Sequence, residues 1–383
     1  MGNVLTPRTE LELAALIAGA AAPFEVTGGG SKRGLGRPVA AETLLDMSRF
    51  TGIRLYEPEE LVLEAGAATP LAEIEAAVAA ENQQLAFEPP DLSALLGGGH
   101  GGTLGGLLAC NLAGPRRIKA GSLRDHVLGV TGVSGRGDVI KTGARVVKNV
   151  TGYDLPKLMA GSYGTLMAFT SVIFKVLPRP ETEETLVLGG LDDAGAVAAM
   201  SRAMQSPCDV SGAAHLPGEG TFLRLEGIAP SIAYRREKLK ALLQGNIAVL
   251  GEADSATRWL TIRDVAPLSG GGTRIVWRVS VAPSEGPPVM AKIKANIDAR
   301  YFYDWAGGLI WLDVPFAEDA SAPLIRGAIA SGHATLIRAS ASIRAKIDVF
   351  QPQQLALAAL AARVKASFDP ARLLNPGRMY RGV

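Results

Sequence analysis

Seven glycines occupy the ten positions from Gly97 to Gly106, which read Gly-Gly-Gly-His-Gly-Gly-Thr-Leu-Gly-Gly. Each glycine adds backbone entropy that folding must remove, so such a run makes neither a stable helix nor a central strand by itself. It makes sense where backbone must lie close against a ligand. Two further glycine-centred segments could complete the same site. In Val26-Thr27-Gly28-Gly29-Gly30-Ser31, successive backbone N–H groups can converge on phosphate oxygens, and no Cβ obstructs a pyrophosphate. Ser31 can add a hydroxyl donor, and Lys32 or Arg33 a positive charge. A plain glycine turn is the alternative reading of that segment taken alone. The string from Arg145 to Leu166 is the most specific in the chain. Its end, Gly161-Ser162-Tyr163-Gly164-Thr165-Leu166, feeds directly into the apolar run that closes at Val176.

Around the first glycine run the long loop Phe87 to Gly106 opens with Pro89-Pro90-Asp91, and Thr103-Leu104-Gly105-Gly106 enters an expected helix through Asn111. The free N–H groups and positive dipole end of such a helix suit a phosphate. Ala109 and Ala113 permit close approach. Arg116, Arg117 and Lys119 cluster nearby, with Arg124 beyond, and Arg117 or Lys119 could hold an acidic substrate or a reduced, anionic cofactor. A solvated basic loop is the alternative. The Rossmann fingerprint is excluded, because its third glycine would fall at Arg33. The Gly-Lys-Ser/Thr ending of a kinase or ATPase phosphate loop is absent. The four histidines (His100, His126, His215, His333) share no segment, so no metal site is expected. No catalytic residue is assigned; His100 and Tyr153 are the candidates for a general base.

Elements must position these segments. A helix near Leu11, a strand Pro23–Val26, strands at Thr43–Asp46 and Leu61–Ala65, and a helix Pro70–Ala80 are expected from spacing. Val127–Val133, Val139–Thr142 and Met167–Val176 read as strands. The Pro178-Arg179-Pro180 pair of prolines suits a boundary. Beyond it, strand and helix alternate: Thr185–Leu188, Asp193–Gln205, Val210–His215, Thr221–Glu226, Ser231–Leu243, then Arg274–Val281, Pro287–Asn296, Leu309–Val314, Asp319–Ala330, Ala334–Arg338. Two βαβ-type halves on one sheet would be a ferredoxin-like or duplicated α+β lobe. Ser269–Thr273 and Ser284–Pro288 read as loops. A helix Gln354–Ser367 leads to a compact, turn-rich tail, Phe368 to Tyr380.

The 383 residues suit two or three domains, and 48% hydrophobic content can fill sizeable cores. A net charge of +2 with 20% charged residues argues against a dedicated nucleic-acid binder. Two cysteines, Cys110 and Cys208, cannot ligate an iron–sulfur cluster, which typically uses four. They read as free thiols of a reducing cytosol. The apolar run Leu11 to Ala22 is interrupted by Glu12 and too short to span a bilayer, so no transmembrane segment or signal peptide is expected.

At these segments the chain resembles the flavoproteins with a vanillyl-alcohol oxidase or p-cresol methylhydroxylase (PCMH) type FAD-binding domain. The resemblance is carried by the Thr27–Ser31 turn; by Pro89-Pro90-Asp91, Thr103–Gly106 and Ala109-Cys110-Asn111 through Gly114-Pro115; by Lys148–Leu155 with Gly161–Leu166; and by the tail Asp369–Met379. Within the family it is most similar to FAD-binding subunits of bacterial glycolate oxidases. The resemblance implies an α+β, two-lobed FAD-binding domain over residues 1–180, a smaller ferredoxin-like α+β cap domain on the substrate side over 181–350, and a C-terminal segment 351–383 returning to the FAD domain. By motif, Gly28, Gly29, Gly30 and Ser31 would hold pyrophosphate. Pro90, Thr103, Leu104, Gly105, Gly106, Asn111, Gly161, Gly164 and Leu166 would line the FAD, and Asn375 would approach its ring. The first turn contains neither His nor Cys, so the FAD is expected to be non-covalent. Related catalytic subunits carry a histidine-rich cap motif that this chain lacks. The implied role is therefore that of an FAD-binding subunit oxidising glycolate or another small 2-hydroxy acid in complex with a catalytic flavosubunit and an iron–sulfur subunit. A cytoplasmic location follows, peripheral to the inner membrane through that complex. The alternatives are a self-sufficient FAD-dependent oxidoreductase for another small hydroxylated substrate, and a redox-inactive scaffold.

Overall fold

The computed structural model describes residues 2–99, 101–144, 153–270 and 272–382. His100 and the start of the Arg145–Leu166 string, residues 145–152, lie outside the described residues.

The N-terminal part builds two sheets. One is a three-stranded parallel sheet of β1 (Asn3–Leu5), β3 (Thr43–Asp46) and β2 (Phe24–Thr27), in that order. The helix Glu10–Ala18 buries Leu13 and Ile17 here; it begins where the Thr9 hydroxyl accepts from Glu12 N at 3.1 Å. The second is a five-stranded antiparallel sheet, β4 (Ile53–Glu57), β5 (Val62–Gly66), β9 (Met167–Lys175), β7 (Val127–Ser134), β8 (Val139–Gly143). Eight of the nine β9 residues are buried, which explains its continuous apolar run. The helix Leu71–Ala80 covers this sheet with Leu71, Ile74 and Val78. A two-residue ladder joins β6 (Gln83–Gln84) to β10 (Leu177–Pro178).

After Pro178 the chain enters an eight-stranded antiparallel sheet. Its order is β14 (Ile247–Leu250), β11 (Thr182–Leu188), β13 (Gly220–Gly227), β12 (Gly212–Leu216), β16 (Arg300–Asp304), β17 (Leu309–Val314), β15 (Ile275–Ser280), β18 (His333–Arg338). In chain order its first half runs strand–helix–strand–strand–helix–strand, with helices Asp193–Gln205 and Ala229–Leu243. Its second half repeats that order, with helices Gly286–Lys294 and Ala322–Gly327. Both halves have the ferredoxin-like strand order, and they meet edge to edge through the single pair His215↔Tyr303. The duplication is thus present in space although no sequence repeat signals it. One face of the sheet buries Trp277, Tyr303 and Leu312 beneath the helices; the other places Val276, Phe302 and Trp311 in the core shared with the FAD lobe.

Several expected elements differ. The supposed loop Ser284–Pro288 is a 3-10 turn, Pro283–Glu285, running into the helix Gly286–Lys294; its prolines stand in the first turn, where no N–H is needed. The expected helix Asp319–Ala330 is shorter, Ala322–Gly327. The helix Glu252–Arg263 and the edge strand β14 were not foreseen.

The tail returns to the first sheet. Phe24 N donates to Leu373 O at 2.7 Å and Asn375 N to Phe24 O at 3.1 Å, extending the parallel sheet beside β2. The preceding helix Leu355–Phe368 is pinned by Lys365, 2% exposed, whose ammonium donates to Thr165 O, Asp369 Oδ2 and Leu374 O at 2.6, 2.6 and 2.9 Å.

Candidate flavin cleft

The turn at the carboxyl end of β2 faces the start of the helix Leu104–Cys110. There the Thr103 hydroxyl accepts from Gly106 N at 3.3 Å. The two are so close that a Cβ on Gly28 would lie 3.2 Å from Thr103 Oγ1, and one on Gly29 3.2 Å from Thr103 Cγ2. Among the described residues the N–H groups of Gly28, Gly29, Gly30 and Ser31 donate to no protein acceptor. Gly30 takes φ +76°, which turns the chain back toward Lys32. Gly105 N donates to Ala67 O at 2.6 Å, and a Cβ there would lie 2.9 Å from that oxygen.

The second glycine segment closes onto the same helix. Gly161 N donates to Leu108 O at 3.0 Å and Tyr163 N to Ala109 O at 2.8 Å. Asn375, 5% exposed and at φ +44°, ties everything together. Its Oδ1 accepts from Val26 N at 2.8 Å, and its Nδ2 donates to Tyr163 O at 2.9 Å. Arg378, 8% exposed, donates to Lys32 O and Arg33 O, both at 3.1 Å, and so clasps the turn from behind.

Between these segments lie two connecting clefts with empty volumes of about 510 Å³ and 450 Å³, sharing Val26–Gly28, Thr103, Gly106, Ala109, Tyr163 and Asn375. Gly29, Gly30, Ser31, Lys32, Arg33, Cys110 and Arg378 line the first; Met47, Gly105, Gly164, Met167 and Phe169 line the second. The first cleft holds the charged groups Lys32, Arg33 and Arg378, with the Glu25 carboxylate paired to Arg33 and 3.9 Å from Arg378, and the second is mainly apolar. Burial lowers the Lys32 pKa, with the Cys110 and Asp91 charges opposing, and among the described residues Lys32 has no carboxylate ion-pair partner. Burial also lowers the Arg378 pKa, and it raises the Cys110 thiol to about 11. Cys110 is therefore a neutral wall and no nucleophile.

These features test the site against a flavin dinucleotide. Unpaired N–H groups and a partly desolvated, unpaired ammonium match a pyrophosphate, and an apolar continuation walled by Tyr163, Met167 and Phe169 matches an aromatic ring. The residues fit the group.

Of the residues singled out from sequence, the structure brings Gly28, Gly29, Gly30, Ser31, Thr103, Gly105, Gly106, Gly164 and Asn375 to the cleft walls. Pro90, Leu104, Asn111, Gly161 and Leu166 stand behind them. Leu104 and Leu166 are core residues, 0% and 7% exposed. Asn111 ends the helix in the left-handed region, at φ +47°, and its Oδ1 accepts from Arg124 N at 3.2 Å. The expected helix therefore stops at Cys110. Lys119 pairs with Asp209, which takes it out of contention as an acid-holding group. Arg116 is spent on Glu226 at 2.6 Å. Tyr153 is 89% exposed and takes no part in the described cleft. His126 is 2% exposed and bonded to Ala120 O at 2.8 Å, a core histidine. Arg378 and the apolar wall Met167–Phe169 were missed; proximity to Asn375 in the tail was the available signal for Arg378.

The cap is held onto the lobe by a buried ion network. Arg224, 1% exposed, donates to Glu88 Oε1 and Oε2 at 2.8 and 3.0 Å and stacks over Trp259. Arg116 donates to Glu226 at 3.0 and 2.6 Å. Burial raises both carboxylates, but the two guanidiniums outweigh it, leaving Glu88 below its ordinary value and Glu226 at about 2.

Comparison with known proteins gives the following. The FAD binding domain family matches residues 2–143. Glycolate oxidase subunit GlcE of Escherichia coli (strain K12) is 35% identical over 360 residues, covering 94% of this chain and 93% of that protein. Glycolate oxidase subunit GlcD of Bacillus subtilis (strain 168) is 44% identical over 101 residues, 26% of this chain and 21% of its own. Among solved structures, 4-ethylphenol oxidase from Gulosibacter chungangensis aligns with TM-score 0.70 over 99% of this chain and 89% of its own, at 14% identity. An alkyldihydroxyacetonephosphate synthase aligns with TM-score 0.68 over 97% and 76%, at 15% identity. These two structures speak for the fold.

Proposed function

The chain belongs to the FAD-dependent oxidoreductases of the vanillyl-alcohol oxidase and PCMH type, in the branch of glycolate oxidase subunit GlcE, and from that premise we propose that it is the FAD-binding subunit of a heteromeric glycolate (2-hydroxy acid) oxidase or dehydrogenase. The observation that carries the reading is the end-to-end likeness, 94% of one chain on 93% of the other, to a protein described as a subunit. The partners are a catalytic flavosubunit and an iron–sulfur subunit. Two cysteines are fewer than the four a cluster typically takes, so electrons leave through the partner. Among the described residues no helix is long and apolar enough to cross a membrane; any membrane association runs through the complex.

In this reading residues 1–180 and the returning tail 351–383 hold the cofactor and 181–350 cap it. The N–H groups of Gly28–Ser31 bind the pyrophosphate, with Lys32 and Arg378 supplying positive charge. Thr103, Gly105 and Gly106 let the backbone approach, and Gly164 does the same on the other wall. Asn375 fixes the spacing between the two glycine segments at the ring end. Bound FAD supplies a two-electron acceptor for the hydroxyl-bearing carbon of the acid. Tyr163, Met167 and Phe169 exclude water from its ring.

The test is co-expression with and without a catalytic flavosubunit, followed by anaerobic glycolate. The reading expects an FAD-loaded chain whose flavin is reduced only in the presence of its partner. Reduction in the isolated chain would mean a self-sufficient enzyme. Retained FAD that no partner reduces would mean a scaffold.

A further inference from the structure

On the face of the cap sheet turned to the flavin lobe, Arg278 of β15 pairs in register with Trp311 of β17 and Thr335 of β18. Its guanidinium carbon stands 5.0 Å from the ring centre of Trp305 and 5.9 Å from that of Trp311. From the flavin lobe, Arg117 approaches the same Trp305, 4.5 Å from its centre. One indole thus carries two guanidiniums, one from each side of the lobe–cap junction. Trp305 is held there by its own Nε1, which donates to Gly114 O at 3.1 Å, and by strained backbone. Trp305 and Ala306 take φ +51° and +57°, followed by Gly307 at +100°. Two consecutive left-handed non-glycine residues are strained, and such strain collects at ligand sites.

Among the described residues neither guanidinium makes an ion pair or donates a hydrogen bond to protein, although the Asp125 charge acts on Arg117 from a distance. The acid whose charge reaches Arg278 is Asp304; its Oδ1 accepts from Trp305 N at 2.7 Å, and burial pushes its pKa up to about 7. Asp304 is therefore a partial counter-ion at most. Burial, then repulsion by Arg117, lowers the Arg278 pKa to about 10, so Arg278 stays charged at neutral pH. The charge of Arg278 also acts on the Tyr163 hydroxyl, and Tyr163 lines both flavin clefts. His333, paired with Ser280 at the end of β15, feels both cations, and its pKa is lowered by desolvation and by them.

We propose that Arg278 and Arg117, stacked on Trp305 at the lobe–cap junction, form a docking site for the carboxylate of a small organic acid. The chain would then take the acid itself and not only hold a flavin for its partner. Planar guanidiniums match a carboxylate in paired, charge-assisted bonds, and the indole keeps them in place without neutralising them. The inference rests on the reading of the substrate as a 2-hydroxy acid.

The experiment is a titration of the FAD-loaded chain with oxalate at fixed ionic strength, read by tryptophan fluorescence and by the flavin absorbance bands, and repeated on the flavin-free chain. Saturable changes are expected in both forms. Arg278→Gln should weaken oxalate binding at least tenfold while FAD content and melting temperature hold; Arg117→Gln should do the same and serves if Arg278→Gln fails to fold. Arg278→Lys should recover part of the affinity. Oxalate binding unchanged in both Gln variants, or absent in a wild-type chain that holds FAD, would overturn the site. So would equal competition by sulfate, which would mark a general anion site. A chain that takes up no FAD but still binds oxalate would instead sink the flavin reading and leave this site standing.

Discussion

Asn375→Ala is the substitution whose consequences can be worked out most fully. The residue is 5% exposed and bridges the two glycine segments, accepting from Val26 N at 2.8 Å and donating to Tyr163 O at 2.9 Å. Alanine removes both partners. A stranded buried group costs about 1–3 kcal/mol. Val26 and Tyr163 border the cleft, where water can reach them, so the lower half of that range applies to each. The backbone at φ +44° adds about 1 kcal/mol, because alanine tolerates the left-handed region less well than asparagine. The total is about 3–5 kcal/mol. At roughly 2 cal/mol/K per residue over 383 residues, the unfolding entropy is near 0.8 kcal/mol/K, so Tm should fall by about 4–6 °C. Because the bond sets the spacing of the clefts, FAD affinity should weaken at least tenfold, measured by calorimetric or fluorescence titration. Asn375→Gly accepts the dihedral and should recover about 1 kcal/mol of stability without recovering FAD affinity. Asn375→Asp keeps the Val26 bond but sets a carboxylate oxygen against Tyr163 O, and should lie between Asn375→Ala and wild type in stability. If Asn375→Ala melts within 1 °C of wild type and holds FAD as tightly, the bridging role is wrong.

Further outcomes are expected. Glu88→Gln leaves Arg224 buried with half its counter-charge and should cost about 3–5 kcal/mol in urea unfolding; an unchanged midpoint would contradict the clamp. Glu226 is lowered from 4.5 to about 2, chiefly because Arg224 and Arg116 outweigh burial. A lowered folded pKa means its contribution, roughly 3 kcal/mol, is complete above about pH 5 and is lost as pH falls toward 2. Unfolding midpoints should therefore decline steadily from about pH 5 to pH 3; a flat or rising profile over that range would contradict this. Gly164→Ala introduces a Cβ 2.8 Å from the Asn375 amide at φ +67°, and should release FAD on gel filtration, whereas Gly98→Ala, which meets nothing within 4 Å, should not.

Local pattern carried much of this fold. The strand Leu309–Val314 and the helix Asp193–Gln205 are where the apolar pattern placed them, because the strand is buried along its whole length and the helix buries one apolar face. The helix Glu252–Arg263 was invisible because it buries only Ser255, Trp259 and Ile262 among polar residues. The edge strand Ile247–Leu250 is short and has no buried residue. The helix expected over Pro287–Asn296 is present as Gly286–Lys294, and only the Ser284–Gly286 stretch read as loop is in fact helical turn. At the site, the glycine turn and Thr103 were legible because the chemistry lies in adjacent residues. Arg378 reaches Lys32 across 346 positions, and Arg224 reaches Glu88 across 136. His333 looked solitary in the sequence, yet the charges of two arginines from different elements act on it. No local period encodes such meetings; only the strand order of the cap sheet and the return of the tail create them.

We propose that the cleft between the Gly28–Ser31 turn, the Thr103 helix and Asn375 holds FAD in a subunit that needs its partner. The most direct measurement is a visible absorption spectrum of the purified chain alone, before and after anaerobic addition of glycolate. The account predicts flavin bands that persist unbleached, and bleach once the catalytic flavosubunit is added. Absence of flavin bands even after reconstitution with FAD would contradict it, and immediate bleaching of the isolated chain would contradict the division of labour.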